Sequence, residues 1–520
     1  MASSVNLAPV DHQKAYEKVA DKLRELSALE GIGGLLGWDE MTMLPDGASG
    51  SRGAQKAALA GVVFDKRTDA ELGALLRQLD SAIKSKEGAP ELDEYARATV
   101  RDAFKEYTRT VVLPKEMAQR AAILGSEGHQ AWVEARKSND FSKFAPFLQR
   151  WVDLNREKAA FIDPSIPAYD VLLDEYEKGM TSARLDEVFI EVREGLKPLI
   201  AAIKAKGCKT ISEECCMGTF DVDTQAKLCK EVAVDIGFNL ECGRLDVSVH
   251  PFTGGTHPTD VRMTTRFKPD NVLEGLTGAI HETGHALYEQ GRNLKYDGLP
   301  VNAAMSMGVH ESQSLMWERM VGLSKPFATY LLPKLQAAFP GKFDSVTTEV
   351  LYQAFNVVQE PSLVRTESDE LTYPMHIIVR YEIEKGLIAG TVKVEDVPRL
   401  WTEKMREYLG DVPPTDAQGC LQDVHWSMGA MGYFPTYTLG ALYAAQIYQC
   451  AMKHLPGLEG QIAAGDFKQL KAWLNEHIHK LGSLYANGDE LMTAVTGEPL
   501  KPSVFLTYLK EKYSALYGIA

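Results

Sequence analysis

Leu273–Gly291 reads LEGLTGAIHETGHALYEQG, with His281 and His285 four residues apart and Glu282 directly after the first of them. Leu273, Leu276, Ile280 and Leu287 recur at helical spacing, which predicts an amphipathic helix. Asp270, after Pro269, is a candidate N-cap, and Gly291 a candidate stop. Residues four apart on a helix share a face, one turn apart. Two imidazole nitrogens so placed can meet at one zinc ion, with Glu282 leaning over the same metal as a base toward its water. Gly284 weakens the helix slightly but leaves room beside the metal. HExxH is a short pattern, and the ordinary alternative is an amphipathic helix that happens to contain two histidines.

A catalytic zinc usually takes three protein ligands and keeps one position open. The longer HExxHxxGxxH pattern is absent, because residue 288 is Tyr and residue 291 is Gly. The third ligand is therefore expected to be a carboxylate from a later helix. Glu311, in Gly308-Val309-His310-Glu311-Ser312-Gln313, lies far enough downstream for a turn and a returning helix. Glu318 is the rival, and Glu289 is expected to point away from the histidine face.

Composition narrows the class. The chain has 520 residues, with 45% hydrophobic and 24% charged, ordinary for a globular protein. A net charge of −15 argues against nucleic acid or an anionic membrane as partner. The N-terminal MASSVNLAPVDHQK lacks the basic and apolar regions of a secretory signal. Leu439–Met452 is too short and too polar to span a bilayer, and the C-terminal residues carry no lipidation or retention signal. The seven cysteines are odd in number and fit no common zinc ribbon. They are read as reduced thiols of a cytoplasmic protein, with a second metal site or redox switch near Cys215–Cys216 as the alternative.

Most of the chain reads as helix. Residues 11–36 keep one face apolar and are expected to end at GIGG, with a bend from Trp38 to Pro45 and on through DGASGSRG. Residues 52–161 read as charged amphipathic helices broken at Pro90, near Pro114 and around Asn139-Asp140. Further helices are expected over 302–332, 345–360, 375–390 and 437–454. Strand candidates are Thr219–Asp223, Leu245–His250 and Asp260–Thr265. No repeat, low-complexity tract or linker interrupts the chain, so residues 1–520 are expected to form a single catalytic domain, one large helical body with lobes.

Three more polar clusters stand out: His250-Pro251-Phe252, Asp260-Val261-Arg262-Met263-Thr264, and Gly419-Cys420-Leu421-Gln422-Asp423-Val424-His425-Trp426. Each alone is an ordinary hydrogen-bonding segment. Together with HETGH, His310–Gln313 and Val364–Asp369 (VRTESD), in this order and spacing, the chain resembles the M32 family of metallocarboxypeptidases, the carboxypeptidase Taq type. The resemblance extends through YDVLLDEYEKGMT, LTYPMHIIVRYEIEKGL and FLTYLKEKY and so covers essentially the whole chain. Ser368 stands where many members have Ala, and the cysteines crowded between 208 and 242 are not a family feature.

The resemblance implies a mainly α, two-lobed body with a deep central groove, similar to neurolysin and angiotensin-converting enzyme. A small β element would lie near the metal helix. It implies a homodimer, a divalent metal (zinc, with cobalt able to substitute) and release of single C-terminal residues from peptides with a free C-terminus. It also implies that DxRxT and GxxQDxHW close one end of the groove, with His250 of HPF on the substrate side. On this reading His281, His285 and Glu311 hold the metal and Glu282 is the general base. Tyr433, Tyr437 and His425 are candidate oxyanion donors. A guanidinium suits the terminal carboxylate by its fork geometry; Arg262 is the first choice, then Arg365 and Arg380. An endo-acting oligopeptidase on the same scaffold, or a non-catalytic peptide-binding zinc protein, is the alternative.

Overall fold

A computed structural model describes residues 11–86 and 88–519; Ala520 and most of the N-terminal MASSVNLAPVDHQK lie outside them. The first half carries α1 (His12–Thr42), α2 (Ser49–Arg67), α3 (Ala70–Lys84), α4 (Glu94–Val111), α5 (Lys115–Ser138), α6 (Ala145–Ile162), α7 (Ala168–Leu173), α8 (Ser182–Lys206) and α9 (Val222–Ile236). Three strands follow: β1 (Gly243–Val247), β2 (Thr253–His257) and β3 (Asp260–Thr265). Then come α10 (Val272–Gln290), α11 (Met307–Leu315), α12 (Lys325–Ala338), α13 (Thr348–Ala354), α14 (Tyr373–Ala389) and α15 (Val397–Leu409). The chain closes with α16 (Pro435–His454), α17 (Leu458–Ala463), α18 (Lys468–His477), α19 (Gly488–Thr496) and α20 (Pro502–Tyr517).

The mainly helical reading and the small β element beside the metal helix are both found. One large core runs from Met117 on α5 to Tyr517 on α20. A second joins α1, α3 and α4 to Tyr296–Val301. A third, small cluster holds Ala233, Phe238, Val261, Met263 and Ala286 between α9, β3 and α10. Among the described residues no helix is long and apolar enough to cross a membrane.

Several boundaries differ from expectation, each for a tertiary reason. GIGG does not end α1, which runs on through Trp38 to Thr42. Its glycines are used for contact: a Cβ on Gly31 would stand 2.8 Å from the Thr256 carbonyl oxygen, and one on Gly34 3.0 Å from that of Gly255. Sheet packing here overrides the weak helix propensity of glycine. The sheet order is β1-β3-β2, with β1 parallel and β2 antiparallel to β3. β3 matches its expected span; β1 starts two residues earlier and stops at Val247. Gly-rich β2 carries too few β-branched residues to be legible. Thr219–Asp223 is not a strand: Asp221 caps α9 by accepting from the Thr224 N–H. α2 and α3 are also separated at Thr68-Asp69, where Asp69 caps α3.

α10 is more deeply buried than an amphipathic stripe requires. Leu276, Ile280 and Leu287 are at most 2% exposed, and each such side chain contributes about 1.5–3 kcal/mol on burial. Its N-cap is Asn271, not Asp270; the Asn271 side chain accepts from the N–H groups of Leu273 and Glu274. Gly291 does end it.

Gly284 sets how near α10 and α11 come. A Cβ there would lie 2.5 Å from the Gln313 carbonyl oxygen and 2.6 Å from the Ser314 Cα, both backbone atoms that cannot swing away. Gly284→Ala is expected to destabilise by about 1–3 kcal/mol through overpacking, read as a lowered denaturation midpoint. Gly61→Ala on α2, where nothing lies within 4 Å, should leave the midpoint unchanged or raise it.

Candidate metal centre

α10 presents His281 and His285 from one face, with ring centroids 5.0 Å apart. α11 packs across it and brings Glu311. One Glu311 oxygen lies 3.2 Å from His285 Nε2 and 3.8 Å from His281 Nε2. The three ligand atoms all lie within 4.8 Å of one another. Two features hold Glu311 there. At the start of α11 the buried Glu177 carboxylate accepts from the Ser306 hydroxyl (3.0 Å), the Gly308 N–H (3.1 Å) and the Tyr443 hydroxyl (2.9 Å). On the other side α16 offers Gly440, where a Cβ would stand 2.7 Å from Glu311 Cγ.

The far ring nitrogens are held as well. α11 runs into a π-helical turn, Met316–Gly322, which brings Glu318 behind His281. There Glu318 accepts from His281 Nδ1 at 2.6 Å, leaving Nε2 toward Glu311. Glu318 thus stands as a supporting carboxylate rather than a member of the three-atom group. His285 Nδ1 lies 2.6 Å from His310 Nδ1, and His310 Nε2 lies 2.7 Å from Glu289. With His285 Nε2 bare, its Nδ1–H donates to His310, whose Nε2–H in turn donates to Glu289. Glu289 was expected to face away from the histidines; it joins them through His310, and Arg292 pairs with it at 2.6 Å.

The electrostatics suit a cation. Burial disfavours a charged His281, but the carboxylates of Glu311 and Glu318 outweigh it and raise its pKa to about 10. Burial likewise works against ionised Glu311, yet the charge on His281, with His285 and Arg319 beside it, holds it at about 2. Without metal, a proton on His281 occupies the place of positive charge. Two imidazoles and one carboxylate, each backed by a partner, fit a divalent ion with an open position.

The family model described as Carboxypeptidase Taq (M32) metallopeptidase matches residues 18–513. The chain belongs to this family. Thermostable carboxypeptidase 1 of Thermus thermophilus is 40% identical over 518 residues, covering 97% of this chain and 99% of the relative. The crystal structure of the M32 carboxypeptidase from Deinococcus radiodurans R1 superposes with a TM-score of 0.92 at 36% identity, covering 97% of this chain and all of that one (100%). Trypanosoma cruzi metallocarboxypeptidase 1 gives a TM-score of 0.91 at 37% identity, covering 96% and 99%. Membership makes this chain a metal-dependent carboxypeptidase and implies a divalent metal.

The other residues expected at an M32 site fall into two groups. Glu282 is buried beside the three-atom group, its carboxylate accepting from the Thr253 hydroxyl at 2.6 Å. Thr253, the first residue of β2, was not anticipated, although it directly follows His250-Pro251-Phe252. Across the site, Asp423 is shared by two guanidiniums. Arg365 reaches it at 2.8 Å and Arg380 at 2.6 Å. Arg365 also donates to the Tyr373 hydroxyl (2.8 Å) and lies 4.9 Å from the Tyr437 ring centroid. His425 Nε2 is 3.1 Å from the Tyr437 hydroxyl, while its buried Nδ1 finds no partner among the described residues. Burial, with Arg365 and Arg380 nearby, lowers His425 to about 4, so it is neutral at pH 7. Burial and the charge of Glu311 raise Tyr433 to about 12, keeping its hydroxyl proton in place.

Arg262 is placed differently from expectation. Val261 and Met263 face the small core, so Arg262 points from the opposite face of β3. Its fork is filled by Asp260 at 2.8 and 2.9 Å, and it stacks 4.7 Å over Trp38. His250 is exposed, while Pro251 packs near Gly278 on α10. Sequence reasoning also missed Arg319, a buried guanidinium over the Tyr373 ring. Its Nε and Nη1 have no hydrogen-bond partner among the described residues.

Glu318→Gln is expected to weaken divalent-metal affinity about 10- to 100-fold by loosening His281, whereas Glu311→Ala should abolish measurable loading. Loading the unmodified chain at neutral pH should release about one proton, from His281 Nε2. Calorimetry in buffers of different ionisation enthalpy measures it, and apparent affinity should fall as pH is lowered.

Proposed function

We propose that this chain is a zinc carboxypeptidase of the HExxH type that removes single C-terminal residues from peptides, with residues 1–520 as one catalytic unit. The observation that carries the reading is a pairing of opposite charges. A nitrogen–nitrogen–carboxylate group beside a buried glutamate faces a cluster in which two guanidiniums share one aspartate. The donor set of His281, His285 and Glu311 favours zinc, with cobalt able to substitute. When bound, such an ion polarises the scissile carbonyl and acidifies water. Glu282 takes the proton of the attacking water and passes it to the leaving amine. Thr253 fixes the carboxylate for that task. Tyr433 and His425, both neutral at pH 7, are the donors proposed for the tetrahedral oxyanion.

The geometry reorders the anchors for the substrate carboxylate. Arg262 is matched one-to-one by Asp260, whereas Arg365, which also lays its Nε and Nη2 on a carboxylate, shares that Asp423 with Arg380. Arg380 is fully buried and supports Asp423. Arg365 is 7% exposed and sits at the edge of a cluster with one excess positive charge, so it becomes the first choice. His250, exposed at the loop before β2, is left with a peripheral part in substrate contact. Seven free cysteines favour a reducing, cytoplasmic home. The homodimer rests on the family resemblance, and sedimentation of the purified chain tests it.

Two measurements test the mechanism. Glu282→Gln keeps size and removes the base, so turnover should drop by at least about 100-fold with metal content unchanged; near-normal activity would overturn the assignment. C-terminal amidation should nearly abolish cleavage while N-terminal acetylation of a longer peptide does little. A charged hydrogen bond is worth about 1.5–3 kcal/mol, roughly 10- to 150-fold in kcat/KM. Arg365→Lys loses the fork and should narrow the acid-to-amide ratio by that order. Equal cutting of amides at internal bonds would mean an oligopeptidase instead.

A further inference from the structure

Five of the seven cysteines fall between residues 208 and 242, and none belongs to the metal-ligand group. Cys215 and Cys216 are adjacent in a short 3-10 turn, Glu214–Cys216. The turn brings their sulfurs to 3.6 Å. Cys215 is partly exposed and Cys216 is buried. The chain then runs directly along the entry to α10. Met217 pairs antiparallel with Asn271. The Gly218 N–H donates to the Asp270 carbonyl at 2.9 Å, and the Phe220 N–H to that of Pro269 at 2.7 Å. Asn271 is the residue that caps α10. The dithiol therefore adjoins the contact that anchors the helix bearing His281 and His285.

We propose that Cys215 and Cys216 form a hydroperoxide-reactive dithiol site whose closure to a disulfide disturbs the start of α10 and lowers activity. The outer sulfur reacts first. The Cys216 thiol donates toward Cys215 and holds it below the ordinary thiol range, which favours the nucleophilic thiolate. The Cys215 thiolate attacks one oxygen of hydrogen peroxide; the O–O bond breaks, and hydroxide leaves and is protonated to water. The resulting sulfenic acid is attacked by the Cys216 sulfur; the S–O bond breaks, a second water leaves with the Cys216 proton, and the S–S bond forms. Two thiols lose two electrons in all, and one peroxide becomes two waters.

Closure must bring the sulfurs from 3.6 Å to about 2.05 Å, and because the peptide bond fixes the Cα spacing of neighbours, the torsions of the turn have to take up the change. Neighbouring Cα atoms are about 3.8 Å apart, whereas disulfides usually span about 4.4–6.8 Å between Cα atoms. The turn must reshape at the residue before Met217, where the segment bonds to Asn271. A bond strained in this way is readily reopened by a dithiol.

The test uses the reduced full-length metal-loaded enzyme, treated with hydrogen peroxide, alkylated, digested and weighed. The peptide containing both cysteines should be lighter by two hydrogens and unalkylated. Activity should fall about five-fold or more, the scale of a coupling between sites, and return with dithiothreitol. Cys215→Ser, which keeps the volume, should hold its activity under the same treatment. On the unmodified chain, phenylarsine oxide should bridge the two sulfurs with release of one water and block their alkylation. The mass readings do not depend on α10 carrying the metal ligands; the activity reading does. Both cysteines remaining alkylable, or Cys215 passing to sulfinic acid without a crosslink, would overturn the dithiol site. A crosslink with unchanged activity, or equal loss in Cys215→Ser, would overturn its coupling to α10.

Discussion

The approach of α10 to α11 at Gly284 is the constraint on which the candidate centre depends. With hydrogen in place of a methyl group, the backbone of Gln313 and Ser314 comes directly against the helix. That contact lies between His281 and His285 on one helix and two to three residues past Glu311 on the other. Any widening moves the carboxylate away from the imidazoles. The same need for closeness recurs at Gly440, where α16 presses on the Glu311 side chain. Small residues here serve distance, since a metal–ligand distance tolerates only a few tenths of an ångström.

Packing this tight buries charge, and the chain answers by pairing it. The α10 side carries Glu311, Glu318 and Glu289 around three histidines and Arg292. The opposite side carries Arg365 and Arg380 on the single Asp423. One end therefore favours a cation and the other has positive charge to spare. In a buried site such fields are weakly screened, and under the function proposed above they would orient a peptide by its own terminal carboxylate. Tyr433 feels both Glu311 and Arg365, and His425 stands beside it next to the Asp423 cluster; burial and these charges keep both neutral at pH 7.

Two further buried carboxylates hold the surroundings. Glu177 anchors the start of α11, and Glu384 accepts from the Tyr169 hydroxyl (2.9 Å), the Trp426 indole N–H (2.8 Å) and the Gly432 N–H. Glu384 thereby ties both ends of the segment that presents His425 and Tyr433. Burial raises both acids to about 7 against those hydrogen bonds. Each contributes stability only through hydrogen bonds that are satisfied inside the protein, because a lost partner would leave a buried polar group exposed to nothing.

Local chemistry made the first part of this legible in the sequence. The helical period around HETGH, the spacing of the two histidines and the carboxylate in His310-Glu311 are properties of short stretches. Periodicity is a local signal, so the mainly α class followed from the helical period and β3 from the alternation of polar and apolar residues. The family pattern added an order of motifs that no single stretch carries. Tertiary structure decided what depends on partners far apart in the chain. GIGG stays helical because β2 packs against it. Glu318 supports His281 because a π-helical turn redirects it, and Glu289 reaches the site through His310. Arg262 and Arg365 are chemically the same side chain in similar polar motifs. Only the fold shows that Asp260 is matched to one alone, while the other lies on an aspartate that it shares with Arg380, which leaves positive charge in excess. A sequence records which groups are present, but the free valence of each is set by which others the fold brings within about 3 Å.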